Sequence, residues 1–453
     1  MEDRNRRMAE QIAAKVAEQG GRVYYVGGLV RDKLLGIENK DVDIEIHGVT
    51  PETLEEILDG LGERTEMGVS FGIYGLKHYD VDIAMPRRER ATGRGHRDFA
   101  VMTDPFLGTE KAAQRRDFTI NALMEDVLSG ALVDHYGGVD DLKKGVIRHV
   151  NRDTFVEDPL RVLRAAQFAA RFGFTVAPET VALCGTMDLS ALPKERIEGE
   201  VKKGLLKSVR PSVFFASLRE MGQLSLWFPE AEALIGVPQN PVYHGEGDVW
   251  THTMMVLDEA ARYRDQVSNP FGFMLAALTH DFGKAVCTET IDGKIHAYRH
   301  EVKGLPIVEA FLSRLTGETK LMQYVLNLTR LHMKPNMVAE ARSSVKATNR
   351  MFDQAIDPEA LLCIAAADDA GRISQMKPVE NQDFLRERLA LYRAYMARPH
   401  VMGKDLVEAG LRPGPDFSEL LAFAHKLRLA GVEKPKALAE TLAYARKLRG
   451  ASV

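Results

Sequence analysis

The first residues placed for chemistry are carboxylates on two short β-rich runs. In DVDIEIHG (41–48), Asp41 and Asp43 stand two residues apart. Side chains alternate faces along a strand, so both carboxylates project from one face. Val42, Ile44 and Ile46 take the other face, toward a core. The run YDVDIAM repeats the pattern with Asp80 and Asp82. Carboxylates converging on a sheet surface repel one another, and a divalent cation with oxygen ligands, usually Mg²⁺, relieves that repulsion. Two such ions about 4 Å apart can activate a hydroxyl and stabilise a leaving phosphate. Just upstream, Gly27 and Gly28 close the run RVYYVGG ahead of a helix, with Arg31 and Asp32 in its first turn. Glycines there let the backbone approach a phosphate, whose charge a helix N-terminus favours. By itself Asp-x-Asp is more often a solvated strand face, and Gly-Gly is equally weak. The whole string, GG-x-x-R-D-x-L-L-G followed by D-x-D, is far more specific.

Two further groupings carry chemistry. Asp158 and Arg161 are three apart on a predicted helix and so share a face. One offers acceptors and the other planar paired donors, with Arg164 one turn further on. A surface salt bridge is the competing explanation of that pair. The second grouping is His252 in WTHTMMVLDEA, His280-Asp281 ending FGFMLAALTHDFGK, His300 in YRHEVKG, His332 in TRLHMKP and Asp368 in AAADDAGR. An adjacent His-Asp pair brings an imidazole and a carboxylate to one point, and neighbouring helices can complete a metal shell. A lone His in a helix is usually structural, but the order H…HD…H…H…D favours a metal site. The placement of His300 and His332 on loops is not legible from sequence.

The elements that must position these groups fall into two styles. Residues 1–150 mix short strands with helices, and 86–114 reads as a long basic loop with glycines. After Glu157 the strand signal nearly disappears, and the chain continues as amphipathic helices punctuated by Pro and Gly. The predicted class is α+β: a head with a small mixed sheet, then an all-α neck, body and tail. The expected segments are 1–150, 151–237, 238–400 and 401–453.

Composition narrows the class. The chain has 453 residues, 45% of them hydrophobic and 27% charged, which is globular and neither disordered nor fibrous. The N-terminus is a charged amphipathic helix without a signal core, and no run reaches about 18 apolar residues, so no membrane span is expected. Cys184, Cys287 and Cys363 lie far apart, which fits a reducing cytoplasm better than disulfides or a zinc ribbon. The net charge is −4, yet 86–116, 193–210 and 421–450 each hold more Lys and Arg than Asp and Glu. Such basic segments suit a nucleic-acid backbone.

VGGLVRDKLLGIENKDVDIEI resembles the signature of class II template-independent nucleotidyltransferases, the tRNA CCA-adding enzymes and bacterial poly(A) polymerases. The resemblance continues through Arg115-Arg116-Asp117 to Asn121, Gly138 to Arg148, EDPLRVLRAAQFAARFGF (157–174) and LPKERIEGEVKKGL (192–205). It implies a polymerase-β-like head in which Asp41 and Asp43 hold Mg²⁺ at the catalytic centre; the Asp80–Asp82 strand adds Asp82 as a third carboxylate if it pairs with theirs in register. Gly27, Gly28, Arg31, Arg116, Asp117 and Asn121 would bind the ribose and triphosphate. Asp158, Arg161 and Arg164 would read the base of ATP or CTP. Gln167 departs from the pattern, which has Arg there, and removes a cation near the nucleotide. The family's flexible loop, needed to add A after C, corresponds to 86–116, so full CCA addition is expected. Poly(A) addition, or CC- or A-addition alone, are the alternatives.

The helical part resembles an HD-superfamily phosphohydrolase. The resemblance implies that His252, His280, Asp281, His300, His332 and Asp368 bind a second divalent metal of unspecified identity. FFASLREMGQLSLWFPEAEALIGVPQ is similar to the lead-in of CCA-adding enzymes with a fused HD domain. Poly(A) polymerases of this class typically lack those metal residues. That subgroup implies 2′,3′-cyclic phosphodiesterase and phosphatase activity in repairing tRNA 3′ ends. The tail carries basic positions, Lys426, Arg428, Lys434, Arg446 and Arg449, which read either as a solvated charged face or as a contact with the tRNA elbow.

Overall fold

The structure, a computed structural model, describes residues 2–68, 73–91, 99–374 and 381–450. The chain divides into two compact units, Met1–Ser208 with Val213–Leu226, and Val209–Ser212 with Trp227–Val453. The class is α+β, with the sheet confined to the first unit.

The sheet strands are β1 (Arg22–Val26), β2 (Val42–His47), β3 (Arg64–Gly68), β4 (Ile73–Leu76) and β5 (Val81–Ala84). A separate ribbon pairs β6 (Arg87–Ala91) with β7 (Phe99–Thr103). β8 (Met124–Asp126) and β9 (Leu132–Val133) complete the seven-stranded sheet in the order β3-β4-β5-β2-β1-β8-β9. Neighbours are antiparallel except β2 and β5, which run parallel. A crossover containing the helix Pro51–Leu61 joins those two, as a parallel pair requires. The apolar face of the sheet (Val23, Val42, Ile44, Ile46, Val81, Ile83) is covered by Met8, Ile12 and Val16 of the N-terminal helix and by Leu54 and Leu58. Burial of one face leaves the opposite face for Asp43 and its neighbours.

One expectation changes here. The basic stretch 86–114 is not simply a loop: β6, β7 and the helix Thr109–Gln114 occupy it. FAVMT supplies the β-branched and aromatic residues of a strand, and antiparallel pairing to RRERA completes the ribbon. Residues 92–98 of that stretch lie outside the described residues. Beyond the sheet, the helix Leu160–Phe172 packs along Lys194–Lys207. A two-residue pairing of β10 (Val146–Ile147) with β11 (Thr175–Val176) joins the segments before and after that first helix.

The second unit is helical apart from the hairpin β12 (Glu289–Ile291) and β13 (Lys294–His296). Its central helices begin on side-chain caps: Asp248 for Val249–Ala260, Asn269 for Pro270–Thr279 and Asp357 for Pro358–Ala370. Each cap satisfies an N-terminal amide that would otherwise lack a partner. Val249–Ala260 packs against both of the other two. Among the described residues, no helix is long and apolar enough to cross a membrane. The three cysteines are buried free thiols.

Candidate functional site

In the first unit, β2 and β5 pair so that Asp43 stands beside Asp82 and Val42 beside Val81. The register therefore places the two carboxylates side by side. Burial raises the pKa of Asp43, and the Asp82 charge adds to the rise, partly offset by Arg116. Asp41 lies one residue before the strand, its N–H donating to Asn39 Oδ1 at 3.0 Å. The same face continues into two residues that sequence reasoning passed over, Glu45 and His47. Both are buried, and Glu45 accepts from His47 at 2.8 Å and from Arg116 at 3.2 Å. Burial opposes ionisation of Glu45, but the His47 and Arg116 bonds outweigh it and hold the carboxyl below its ordinary value. Continuing the period of two past Asp43 would have found both residues.

Gly27 caps the helix Gly28–Leu34 with φ of 63°, a left-handed backbone that glycine adopts freely. A Cβ there would sit 3.6 Å from Arg116 Nη1, so the turn and the arginine face each other. Arg31 is buried, donating to Asp32 at 2.7 Å and to Asn121 Oδ1 at 2.6 Å. Its guanidinium lies 4.8 Å from the Phe172 ring centroid. Asp117 accepts from Arg164 at 2.7 Å and Asn121 at 2.9 Å. Its burial would raise its pKa, but Arg164 and Asn121 reverse that and hold it low.

The Asp158–Arg161 pair differs from expectation. The helix begins at Leu160, after Pro159, and a residue before proline is biased away from the helical region. Asp158 therefore lies outside the helix, accepting from Leu160 N at 3.1 Å and Arg196 at 3.0 Å. Arg161 donates to the carbonyls of Thr154 at 2.6 Å and Arg115 at 2.8 Å. Both side chains still reach one cavity of about 620 Å³, shared with Gly27, Gly28, Asp41 and Asp43. Arg31, Arg116, Asp117, Asn121 and Arg164 also line it, whereas Asp82 does not. Gln167 lines it too, 2% exposed, with an Nε2 that makes no hydrogen bond.

In the second unit, all six sequence candidates converge. His252, His280, Asp281, His300, His332 and Asp368 are buried. Asp281 is central: its Oδ2 is 3.2 Å from His280 Nε2 and 3.7 Å from His252 Nε2. Its Oδ1 is 3.0 Å from His300 Nε2 and 3.9 Å from His332 Nε2. Asp368 Oδ1 is 3.1 Å from His252 Nε2. His300 and His332, unplaced by sequence, are brought in by the first turn of His300–Lys303 and the end of Thr319–Leu331. Gly283 makes the first approach possible, since a Cβ on it would lie 2.1 Å from His300 O.

The imidazoles are set for ligation. Nδ1 of His280, His300 and His332 lies 2.8, 2.9 and 2.7 Å from the carbonyls of Ala277, Ala297 and Thr329. A carbonyl only accepts, so each Nδ1 carries a proton, and a ring that is neutral then keeps its lone pair on Nε2. His280 Nε2 is buried and makes no hydrogen bond. Burial and the neighbouring His280 and His300 push His332 down to about 3, a neutral ring. At His300, by contrast, burial is outweighed by Asp281, and at His252 by Asp368 and Glu246, so both are raised. Burial works against ionisation of Asp281 and Asp368, but His280 and Lys284 hold the first well below its ordinary value and Arg372 and His252 the second. Four imidazoles with two carboxylates fit a transition-metal or zinc ion better than Mg²⁺. A cavity of about 660 Å³ reaches Asp281, His300 and Asp368, with Lys284, Lys294 and Arg372 on its walls. Sequence reasoning passed over Glu246, which lies 3.0 Å from His252 Nδ1.

The tail is less open to a partner than its charge suggests. Lys434 pairs with Asp405 at 2.8 Å and Arg449 with Asp416 at 2.9 Å. Arg428 donates to the carbonyl of Met396.

Residues 23–148 match the poly A polymerase head domain and residues 249–371 the HD domain. The multifunctional CCA protein of Stenotrophomonas maltophilia is 39% identical over 422 residues, covering 91% of this chain and all of that one. A CCA-adding enzyme solved with ATP matches 97% of this chain and 94% of its own at TM-score 0.67 and 21% identity. The Thermotoga maritima CCA-adding enzyme complexed with tRNA matches 97% and 95% at TM-score 0.65 and 21% identity. With a head-domain match, an HD-domain match and full-length identity of this order, the chain belongs to the multifunctional CCA protein family.

Proposed function

We propose that the chain adds CCA to tRNA 3′ ends from CTP and ATP in its head, and hydrolyses phosphoesters such as 2′,3′-cyclic phosphates in its HD domain. One observation carries the first activity. A single cavity brings the strand carboxylates Asp41 and Asp43 together with Asp158 and Arg161 from the neck. Asp41 and Asp43 would hold Mg²⁺, with Asp82 beside Asp43 as a third carboxylate. When bound, the ion supplies charge that acidifies the RNA 3′-hydroxyl and offsets the leaving pyrophosphate. The turn at Gly27 and Gly28 admits the triphosphate, and Arg31 and Arg116 face its charge. Asn121, anchored by Asp117, supports the ribose side. Asp158 accepts and Arg161 donates at the base edge. Arg161 has five N–H groups and the two carbonyls take two of them, so donors remain. Arg164 is oriented by Asp117. Gln167 supplies a neutral amide where the family pattern has a cation.

The end-product assay tests this reading. Truncated tRNA supplied with both nucleotides should gain two C and one A and then stop. Unlimited A tails from ATP alone would instead make the chain a poly(A) polymerase. A product that never takes the terminal A would make it a CC-adding enzyme.

For the HD domain, His252, His280, Asp281, His300, His332 and Asp368 would hold the divalent metal. When bound, the metal supplies a nucleophilic water at neutral pH. Lys284, Lys294 and Arg372 give the cavity walls the charge to hold a phosphate. Asp281→Ala should abolish cyclic-phosphate hydrolysis and spare nucleotide addition. Loss of both would assign Asp281 a structural role.

A further inference from the structure

We propose that Glu246 is a positioning residue of the HD cluster, a buried carboxylate that fixes the tautomer and aim of His252; this rests on reading the cluster as a metal centre. Three cluster histidines place Nδ1 against the carbonyl three residues earlier, at 2.7 to 2.9 Å. His252 is the exception. It lies in the first turn of Val249–Ala260, and Glu246 Oε1 is 3.0 Å from its Nδ1. The contact is within hydrogen-bond reach without being a straight bond, and Nδ1 makes no hydrogen bond elsewhere.

Glu246 is itself held on every side. Its side chain is 1% exposed. Oε1 also meets His244 Nδ1 at 2.8 Å, and Oε2 accepts the Ile373 N–H at 2.8 Å. The preceding Gly245 donates its N–H to Ile373 O at 2.7 Å, and a Cβ on it would lie 2.9 Å from that oxygen. Ile373 follows the helix Pro358–Ala370, which carries Asp368. The strap bearing Glu246 is thus tied to the element bearing a second cluster carboxylate. The carboxylate does for His252 what the three carbonyls do for the other rings. His252 Nε2 lies 3.1 Å from Asp368 Oδ1, close enough to donate to it; a proton drawn to Nδ1 by Glu246 would free the Nε2 lone pair for a metal ion. An anionic acceptor also makes Nδ1 a stronger donor than a carbonyl does. Partners of this kind change metal affinity by about 10–100-fold.

The test is Co²⁺ titration of metal-stripped, full-length protein, followed by the visible absorption of imidazole-ligated Co²⁺. Glu246→Ala is expected to weaken Co²⁺ binding by about 10–100-fold. Glu246→Gln, which keeps an acceptor oxygen without its charge, is expected to fall between it and wild type. Nucleotide addition and the unfolding midpoint of metal-free Glu246→Gln should match wild type. Unchanged Co²⁺ affinity in both variants, or a loss that only tracks lower metal-free stability, overturns the proposal. Wild-type protein that gives no imidazole–Co²⁺ band overturns the metal-centre reading itself. Weakened Co²⁺ binding in Glu246→Ala, with wild type hydrolysing no phosphoester, keeps the positioning role and removes the phosphohydrolase reading.

Discussion

Asp43 and Asp117 are both head carboxylates, and their surroundings drive them in opposite directions. Asp43 is raised by burial and by Asp82, so a cation arriving there removes a repulsion. Asp43→Asn should lower nucleotide incorporation by about a thousandfold, the several kcal/mol that metal charge stabilisation supplies. Phosphoester hydrolysis measured on the same preparation should be unchanged. Asp117 is held low by Arg164 and Asn121 against its own burial. Its stabilisation is therefore full above the unfolded value near pH 3.9 and is lost as pH falls through the lowered folded value. Asp117→Asn should cost about 1–3 kcal/mol in denaturant unfolding at pH 7. The deficit should shrink at pH 3 and below. The candidates legible in sequence were those in marked patterns, Asp41 and Asp43 two apart and the H…HD…H…H…D series, whose members the fold brings together. Glu246 was not legible, because its role depends on a strap closing against a helix end more than a hundred residues later.

At the scale of elements, helix periodicity overreached at Asp158, where the following proline already marked the boundary. The basic composition of 86–114 hid the ribbon of β6 and β7, since Arg and Gly carry little strand signal while FAVMT carries much. Replacing 87–103 by a short Gly/Ser linker should leave C addition intact and remove the terminal A. Gel analysis of CTP-only and CTP-plus-ATP products checks it, and unchanged A addition would detach the ribbon from nucleotide choice. Gly283 gives an elemental test in the second unit. Its backbone touches His300 O so closely that Gly283→Ala must displace the helix His300–Lys303. Metal affinity should fall even though no ligand is altered, while nucleotide addition by the head continues.

At the scale of the whole molecule, a net charge of −4 is a balance between basic segments and a remainder that is acidic on balance. If about six phosphates are neutralised, raising salt from 50 to 200 mM should weaken tRNA binding by about a thousandfold. A flat salt response in filter binding would contradict a phosphate-tracking surface. The division into an α+β head and a helical remainder was readable because strand alternation and helical spacing differ in period. The seven-strand order was not, because it depends on which edges meet after crossovers. That order has a further consequence. Val42 and Asp43 occupy opposite faces of one strand, locked beside Val81 and Asp82. A slip of one residue would send Asp43 into the apolar layer and Val42 into the cavity. Misregistered chains therefore lose their core and their chemistry in the same event. The fraction of a preparation that turns over is then also a count of its correctly threaded molecules.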